Sequence, residues 1–252
     1  MSKGAVPEPR QVSSDFPLFF LESVESTNTF MKEWVRSSSL RQGTVLYAGT
    51  QTAGRGRPGN RWLHFPGNLA MSLWVSTERT GEEIPWTLKA AFVLLELLSD
   101  LGVPCVLKYP NDIWLEDPPR KIAGILVEQV NQGAVIGLGV NRRTPPGMER
   151  FGACEALPEM HQLALAYGKR FFRTFLSNGS DPVSQAAILE RLNGALLWKG
   201  RWVAWKGQNG PLVGKINRLG KTGQLEVATS DGKDILLPET VRSLELLEPF
   251  HG

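Results

Sequence analysis

Apolar positions recur along this chain in two rhythms, one close to the helical repeat and one alternating. Residues 16–21 form a short apolar run that predicts a strand, and Phe30, Met31, Trp34 and Val35 then recur at helical spacing behind Ser26-Thr27, a pair suited to cap the helix start. Residues 44–48 read as the next strand, and across 68–76 the alternation of Leu69, Met71, Leu73 and Val75 places an apolar set on one face. A long apolar helix is expected over 86–101, with Gly102 as its stop. Four strands should follow at 106–107, 113–115, 122–130 and 134–140. Helical patterns return at 157–175 and 182–197.

Beyond Lys199 the pattern changes to short alternating segments divided by glycine-rich turns, at 202–206, 212–216, 225–228 and 234–237. These are too few and too short for a sandwich and suit a small barrel. The expected organisation is a flexible segment 1–15, an α+β domain 16–198 with helices packed on a mixed, mostly antiparallel sheet, and a small β-barrel domain 199–252.

Composition narrows the field more than it identifies a function. The 252 residues are 42% apolar and 21% charged, ordinary for a globular protein, and 28 basic against 25 acidic residues leave a net charge of only +3. Such a balance does not demand a nucleic-acid partner, so any basic function must be local. No apolar stretch reaches the length of a membrane span, and the polar, proline-containing N-terminus lacks the apolar centre of a signal peptide, so a cytoplasmic location without a membrane partner is expected. Cys105 and Cys154 show neither zinc spacing nor a disulfide framework, and His64, His161 and His251 are scattered. No metal ligands can be assigned.

The segment Gln51-Thr52-Ala53-Gly54-Arg55-Gly56-Arg57-Pro58-Gly59-Asn60-Arg61-Trp62 carries the most information. Its glycines let backbone approach a ligand, and its arginines offer forked donors to carboxylate or phosphate. The plain alternative is an exposed hairpin with solvated arginines. The common nucleotide motifs are absent, since no Gly-Lys-Ser/Thr follows and no helix is expected to open from the loop. Three further segments are weak singly: the turn Lys108-Tyr109-Pro110-Asn111-Asp112, the strand Lys121-Ile122-Ala123-Gly124-Ile125-Leu126-Val127-Glu128, and the strand end Gly137-Leu138-Gly139-Val140-Asn141. Gly124, inside a strand, suits either close approach of a ligand or a bulge.

Taken in order after Ser26-Thr27-Asn28, these segments resemble the catalytic domain of biotin protein ligases. The resemblance is strong over 16–141 and fainter through the C-terminal barrel, which resembles that family's SH3-like domain. It implies ATP-dependent formation of biotinyl-5′-AMP from biotin and MgATP, followed by transfer of biotin to a lysine of a biotin carboxyl carrier protein or domain such as that of acetyl-CoA carboxylase. By the same resemblance Arg55, Arg57 and Lys121 hold the carboxylate and phosphate, and Asp112 lies near the acceptor amine or the metal. Ser26, Thr27, Asn28 and Gln51 take the biotin head. Gly54 and Gly56 belong to the biotin loop, and Gly124 and Leu126 form the slot wall. Trp62, Lys108, Asn111 and Asn141 lie on the ATP side. A purely structural role stays open for Trp62 and Gly124.

Some features depart from the family pattern. Asn60 stands where many members carry arginine, Tyr109 replaces a tryptophan, and residues 116–120 make a slightly extended turn. Few residues precede the first strand, so the resemblance implies ligation without DNA binding or repression; a homodimer joined at strand edges is familiar in the family. The rival readings are a lipoate or octanoate ligase or transferase of the same fold, and a nucleic-acid-binding module using Arg55, Arg57 and Arg61.

Overall fold

The computed structural model describes residues 8–76, 84–130, 133–144, 147–149, 151–177, 183–207, 210–238, 240–241 and 244–247. Residues 1–7 of the segment expected to be flexible, and Pro182 at the start of the last expected helix, lie outside the described residues.

Eight strands form the main sheet in the order β1-β2-β3-β4-β8-β7-β6-β5. They are β1 (Arg10–Gln11), β2 (Leu18–Val24), β3 (Val45–Gln51), β4 (Leu69–Ser76), β5 (Cys105–Lys108), β6 (Asp112–Leu115), β7 (Arg120–Val130) and β8 (Gly133–Val140). Only β2 and β3 run parallel, and such a pair needs a crossover; α1 (Thr27–Ser37) provides it. All other pairs are antiparallel, as the pattern predicted.

The two faces of this sheet are covered differently. On one side Leu69, Met71, Leu73 and Val75 point into a large core with α2 (Trp86–Asp100), α3 (Met160–Phe175) and α4 (Gln185–Gly194). Helix α2 has 11 buried residues, which explains why its pattern is apolar nearly all round. On the other side Met31 of α1 packs with Leu21, Leu46, Ala48, Trp74 and Val135, with Phe30, Trp34 and Val35 against them. Because α1 covers only part of that face, the remainder of the sheet is left to form a cavity floor.

Where boundaries differ from the pattern, tertiary pairing is the reason. Strand β2 runs on through Glu22 and Ser23 because Ser23 and Val24 pair with Thr50 and Gln51. The helix expected over 182–197 ends at Gly194, and Ala195 and Leu197 instead exchange backbone hydrogen bonds with Leu107 of β5 (2.7 and 2.9 Å). Arg10–Gln11, within the segment expected to be flexible, pairs with Phe19 and Phe20.

Past residue 199 the chain forms a second, five-stranded antiparallel sheet, in the order β12-β11-β10-β9-β13. Its strands are β9 (Trp202–Gly207), β10 (Gly210–Leu219), β11 (Leu225–Ala228), β12 (Asp234–Leu237) and β13 (Glu245–Leu246). Two-residue β13 is too short to show a period in the sequence. Val203, Trp205, Ile216 and Val227 of this sheet join the same apolar cluster as the main sheet, so the two sheets share packing.

Candidate active site

A cavity of about 440 Å³ opens on the sheet face that α1 leaves bare, within the size range of ligand pockets. Strand register builds its floor. Gly124 pairs with Gly139, which pairs on its other side with Ala70; the next row is Leu126, Gly137 and Ser72. Period-two alternation puts these six residues on one face, and three of them have no side chain.

The start of α1 forms one end. Ser26 caps the helix, its Oγ accepting from the Thr29 amide at 3.4 Å, and Gln51 Oε1 accepts from both the amide (2.9 Å) and the hydroxyl (3.2 Å) of Thr27. Asn28 is fully committed: its amide donates to Leu126 O and Glu128 Oε2, and its Oδ1 accepts from Ser72 Oγ at 2.6 Å. A Cβ on Gly137 would sit within 2.4 Å of that oxygen, so Gly137 is glycine to admit Asn28. Asn28 thus fastens α1 to the sheet while lining the cavity.

The glycine-arginine segment closes on itself as a hairpin. Arg55 bridges to Arg61, and the Trp62 amide donates to Gly54 O at 3.0 Å. A side chain on Gly54 would meet Trp62 O at 2.3 Å, so Gly54 serves this backbone approach and does not line the cavity. The Trp62 indole lies over the floor: Cβ atoms on Gly139 and Gly124 would stand 2.3 and 3.0 Å from its ring atoms. The two glycines make room for an indole supplied by the chain itself. Lys121 Nζ is 5.7 Å from that ring's centroid, and the Trp62 Nε1–H is buried without a hydrogen-bond partner.

Cations surround the opposite end. Lys121 Nζ stands 2.7 Å from Asp112 Oδ1. Arg57 donates to Asn111 Oδ1 (3.4 Å) and to the carbonyl of Val241 (2.7 Å), and Asn111 donates to Ile125 O. Lys108 also lines the cavity; burial pushes the pKa of its ammonium down, against an upward pull from Asp112. Val241, Leu244 and Glu245 close this end, so the segment beyond β12 belongs to the site, a contribution that no sequence motif signalled.

Arg55, 49% exposed, turns to Glu128, 3.2 Å away, which also binds Lys32 at 2.6 Å. Burial would raise the Glu128 pKa, but the hydrogen bonds from Lys32 and Asn28 and the charges of Lys32 and Arg55 outweigh it and hold the carboxyl below its ordinary range. Glu128 shares the floor face two residues beyond Leu126, and that alternation was the one signal that could have singled it out. Asn141, expected on the ATP side, does not line the cavity. It is buried, accepting from Asn68 (3.3 Å) and donating to Gly152 O (3.2 Å), and so braces a loop. The Cys105 thiol is pushed up to about 12 by burial and stays protonated at neutral pH.

Residues 20–141 match the biotin/lipoate A/B protein ligase family. This stretch is a biotin/lipoate A/B protein ligase domain. It includes every cavity residue named above except those beyond residue 240. Over 129 residues the chain is 37% identical to the bifunctional ligase/repressor BirA of Escherichia coli, covering 48% of this chain and 39% of that relative. Over 112 residues it is 33% identical to the biotin--[acetyl-CoA-carboxylase] ligase of Paracoccus denitrificans, covering 40% of this chain and 45% of that one. In both cases the match spans less than half the relative's length. The biotin protein ligase of Aquifex aeolicus, solved in complex with biotin and ATP, superposes with a TM-score of 0.72 at 25% identity, covering 91% of this chain and 99% of that one. That match extends the shared fold through the second sheet. No described helix is long and apolar enough to cross a membrane.

Proposed function

We propose that the chain is an ATP-dependent biotin protein ligase, which makes biotinyl-5′-AMP and passes the biotin to one lysine of a carrier domain such as that of acetyl-CoA carboxylase. The observation that carries this reading is a single cavity with three zones in sequence. Ser26, Thr27 and Gln51 form a polar end, glycines and Leu126 a floor partly covered by the Trp62 indole, and Lys121, Arg57 and Lys108 a cationic end. A ligand with a polar head, an apolar body and a carboxylate tail fits that order. The relatives' names and the biotin and ATP of the Aquifex aeolicus complex support the same substrates.

In the first step a biotin carboxylate oxygen attacks the α-phosphorus of ATP, and the bond to the β-phosphate breaks to release pyrophosphate. Both reactants are anions, and Lys121 and Arg57 hold them together; each charge-assisted hydrogen bond contributes roughly 1.5–3 kcal/mol. Trp62, closing the hairpin over the floor, would shield the mixed anhydride from water. In the second step the carrier's amine attacks the acyl carbon and AMP leaves. Asp112, 2.7 Å from Lys121, is the carboxylate that would accept a hydrogen bond from that amine. Among the described residues no three His, Cys, Asp or Glu side chains stand together as a cation cage. Mg2+ would be carried on the ATP phosphates, whose oxygens suit a hard cation.

Biotin-dependent ATP–pyrophosphate exchange by the purified chain tests substrate, nucleotide and first step together. Exchange driven by lipoate and not by biotin would move the reading to the lipoate side of the family. Exchange with neither would overturn it.

A further inference from the structure

The cations at the cavity are held in different ways, Arg57 by the neutral oxygens of Asn111 and Val241. A carboxylate answers both Lys121 and Arg55, through Asp112 and Glu128. Lys108 forms no such ion pair among the described residues. Its Nζ lies 4.8 Å from the ring centroid of Trp114 and 4.8 Å from that of Trp198, and the two rings meet edge to face with centroids 6.2 Å apart.

Local structure explains one ring and tertiary structure the other. In the β5–β6 hairpin Lys108 pairs with Asp112 and Val106 with Trp114, so Lys108 and Trp114 are diagonal neighbours on one face, within reach of a long side chain. Trp198 comes from the connection into the second sheet. Its approach is fixed by the bridge between Leu107 and Leu196, and by the hydrogen bonds of Leu107 with Ala195 and Leu197. Directly after this bridge Trp198 adopts φ 62°, the one positive φ among the described non-glycine residues. A bulky residue keeps that backbone only where its surroundings fix it, and here the indole is locked against Lys108 and Trp114.

We propose that Trp198, together with Trp114, is a positioning residue for phosphate binding: the two indoles fix the Lys108 ammonium at the cavity without neutralising it. An indole face attracts a cation through its quadrupole but carries no net charge. Asp112 and Glu245 act on the ammonium only from beyond ion-pair contact, so more of its field is left for an incoming polyphosphate than a contacting carboxylate would leave. Because Trp198 lies four residues before β9 begins at Trp202, the clamp also ties the connection between the sheets to the nucleotide end of the site.

This inference rests on the adenylate-forming reading, and the experiment separates the two. In the full chain, Trp198→Leu removes the ring face and keeps apolar bulk, while Trp198→Phe keeps a ring. With MgATP and biotin varied separately in the exchange assay, Trp198→Leu is expected to raise the KM for MgATP about three- to thirtyfold. The KM for biotin should stay within about twofold, Trp198→Phe should recover most of the loss, and Trp198→Leu should add little to Lys108→Gln, because the indole acts through the lysine. An equal rise in both KM values, or full additivity with Lys108→Gln, would overturn the proposal. If Trp198→Leu does not fold, Trp114→Leu is read by the same criteria. If the wild-type chain shows no exchange, calorimetric binding of inorganic pyrophosphate decides: binding weakened by Trp198→Leu supports the clamp, and unchanged or undetectable wild-type binding refutes it.

Discussion

At the level of single residues, the site depends on cations whose partners a bound ligand would replace or share. Arg57→Ala removes a guanidinium that reaches both Asn111 and Val241. It should slow biotin-dependent pyrophosphate exchange about ten- to a hundredfold with an unchanged circular dichroism spectrum; unchanged exchange would remove the hairpin from the mechanism. Lys121→Ala should raise the KM for biotin and lower the adenylation rate together, while loss of stability alone would make the lysine structural. Glu128 gives a pH prediction. Its folded pKa lies below the ordinary 4.5, so the stability it contributes is fully present above that value and is lost as pH falls through the lower folded value. Acid unfolding below about pH 4.5 should lose part of its pH dependence in Glu128→Gln. The sequence already marked Arg57, in a glycine-arginine loop with few structural reasons to exist, and Lys121 through the family resemblance. It did not mark Glu128, an ordinary charge until Lys32, Asn28 and Arg55 converge on it.

At the level of elements, alternation and capping predicted nearly all the strands and helices, since the rhythm of β4 and the Ser26 cap are local properties. The docking of one element on another was not local. The motif Gly137 to Asn141 read as a strand end, yet Gly139 is glycine because Trp62, from a distant hairpin, lies on it. Gly139→Ala puts a methyl carbon where the indole stands and should free the hairpin. Trypsin should then cut at Arg55, Arg57 or Arg61 faster than in the wild type, and the KM for MgATP should rise. Cleavage at the wild-type rate would show that the indole is not held there. The expected ATP-side role of Asn141 shows the reverse case, for the motif was visible but its amide is spent on Asn68 and Gly152.

For the whole molecule, the decisive feature is that the second sheet and the segment after it complete the cavity. Tyr109 OH donates to Leu237 O at 3.1 Å in a buried setting, and Arg57 reaches Val241 O. Tyr109→Phe should lower the unfolding free energy by about 1 kcal/mol in urea denaturation, since it leaves a buried carbonyl without its donor. The substitution of tyrosine for the family's usual tryptophan is thus consistent with a hydroxyl that spans the two sheets. By itself the sequence determined which segments are strands and helices, where the glycine-arginine segment sits and which family the chain resembles, because those depend on neighbouring residues and short spacings. Only the tertiary structure decided that Trp62 lies on the glycine floor, that Glu128 holds Arg55, that Asn141 braces a loop, and that Val241 and Trp198 reach the cationic end of the cavity. Those are contacts between residues far apart in the chain, fixed by packing and strand register, which no local pattern encodes.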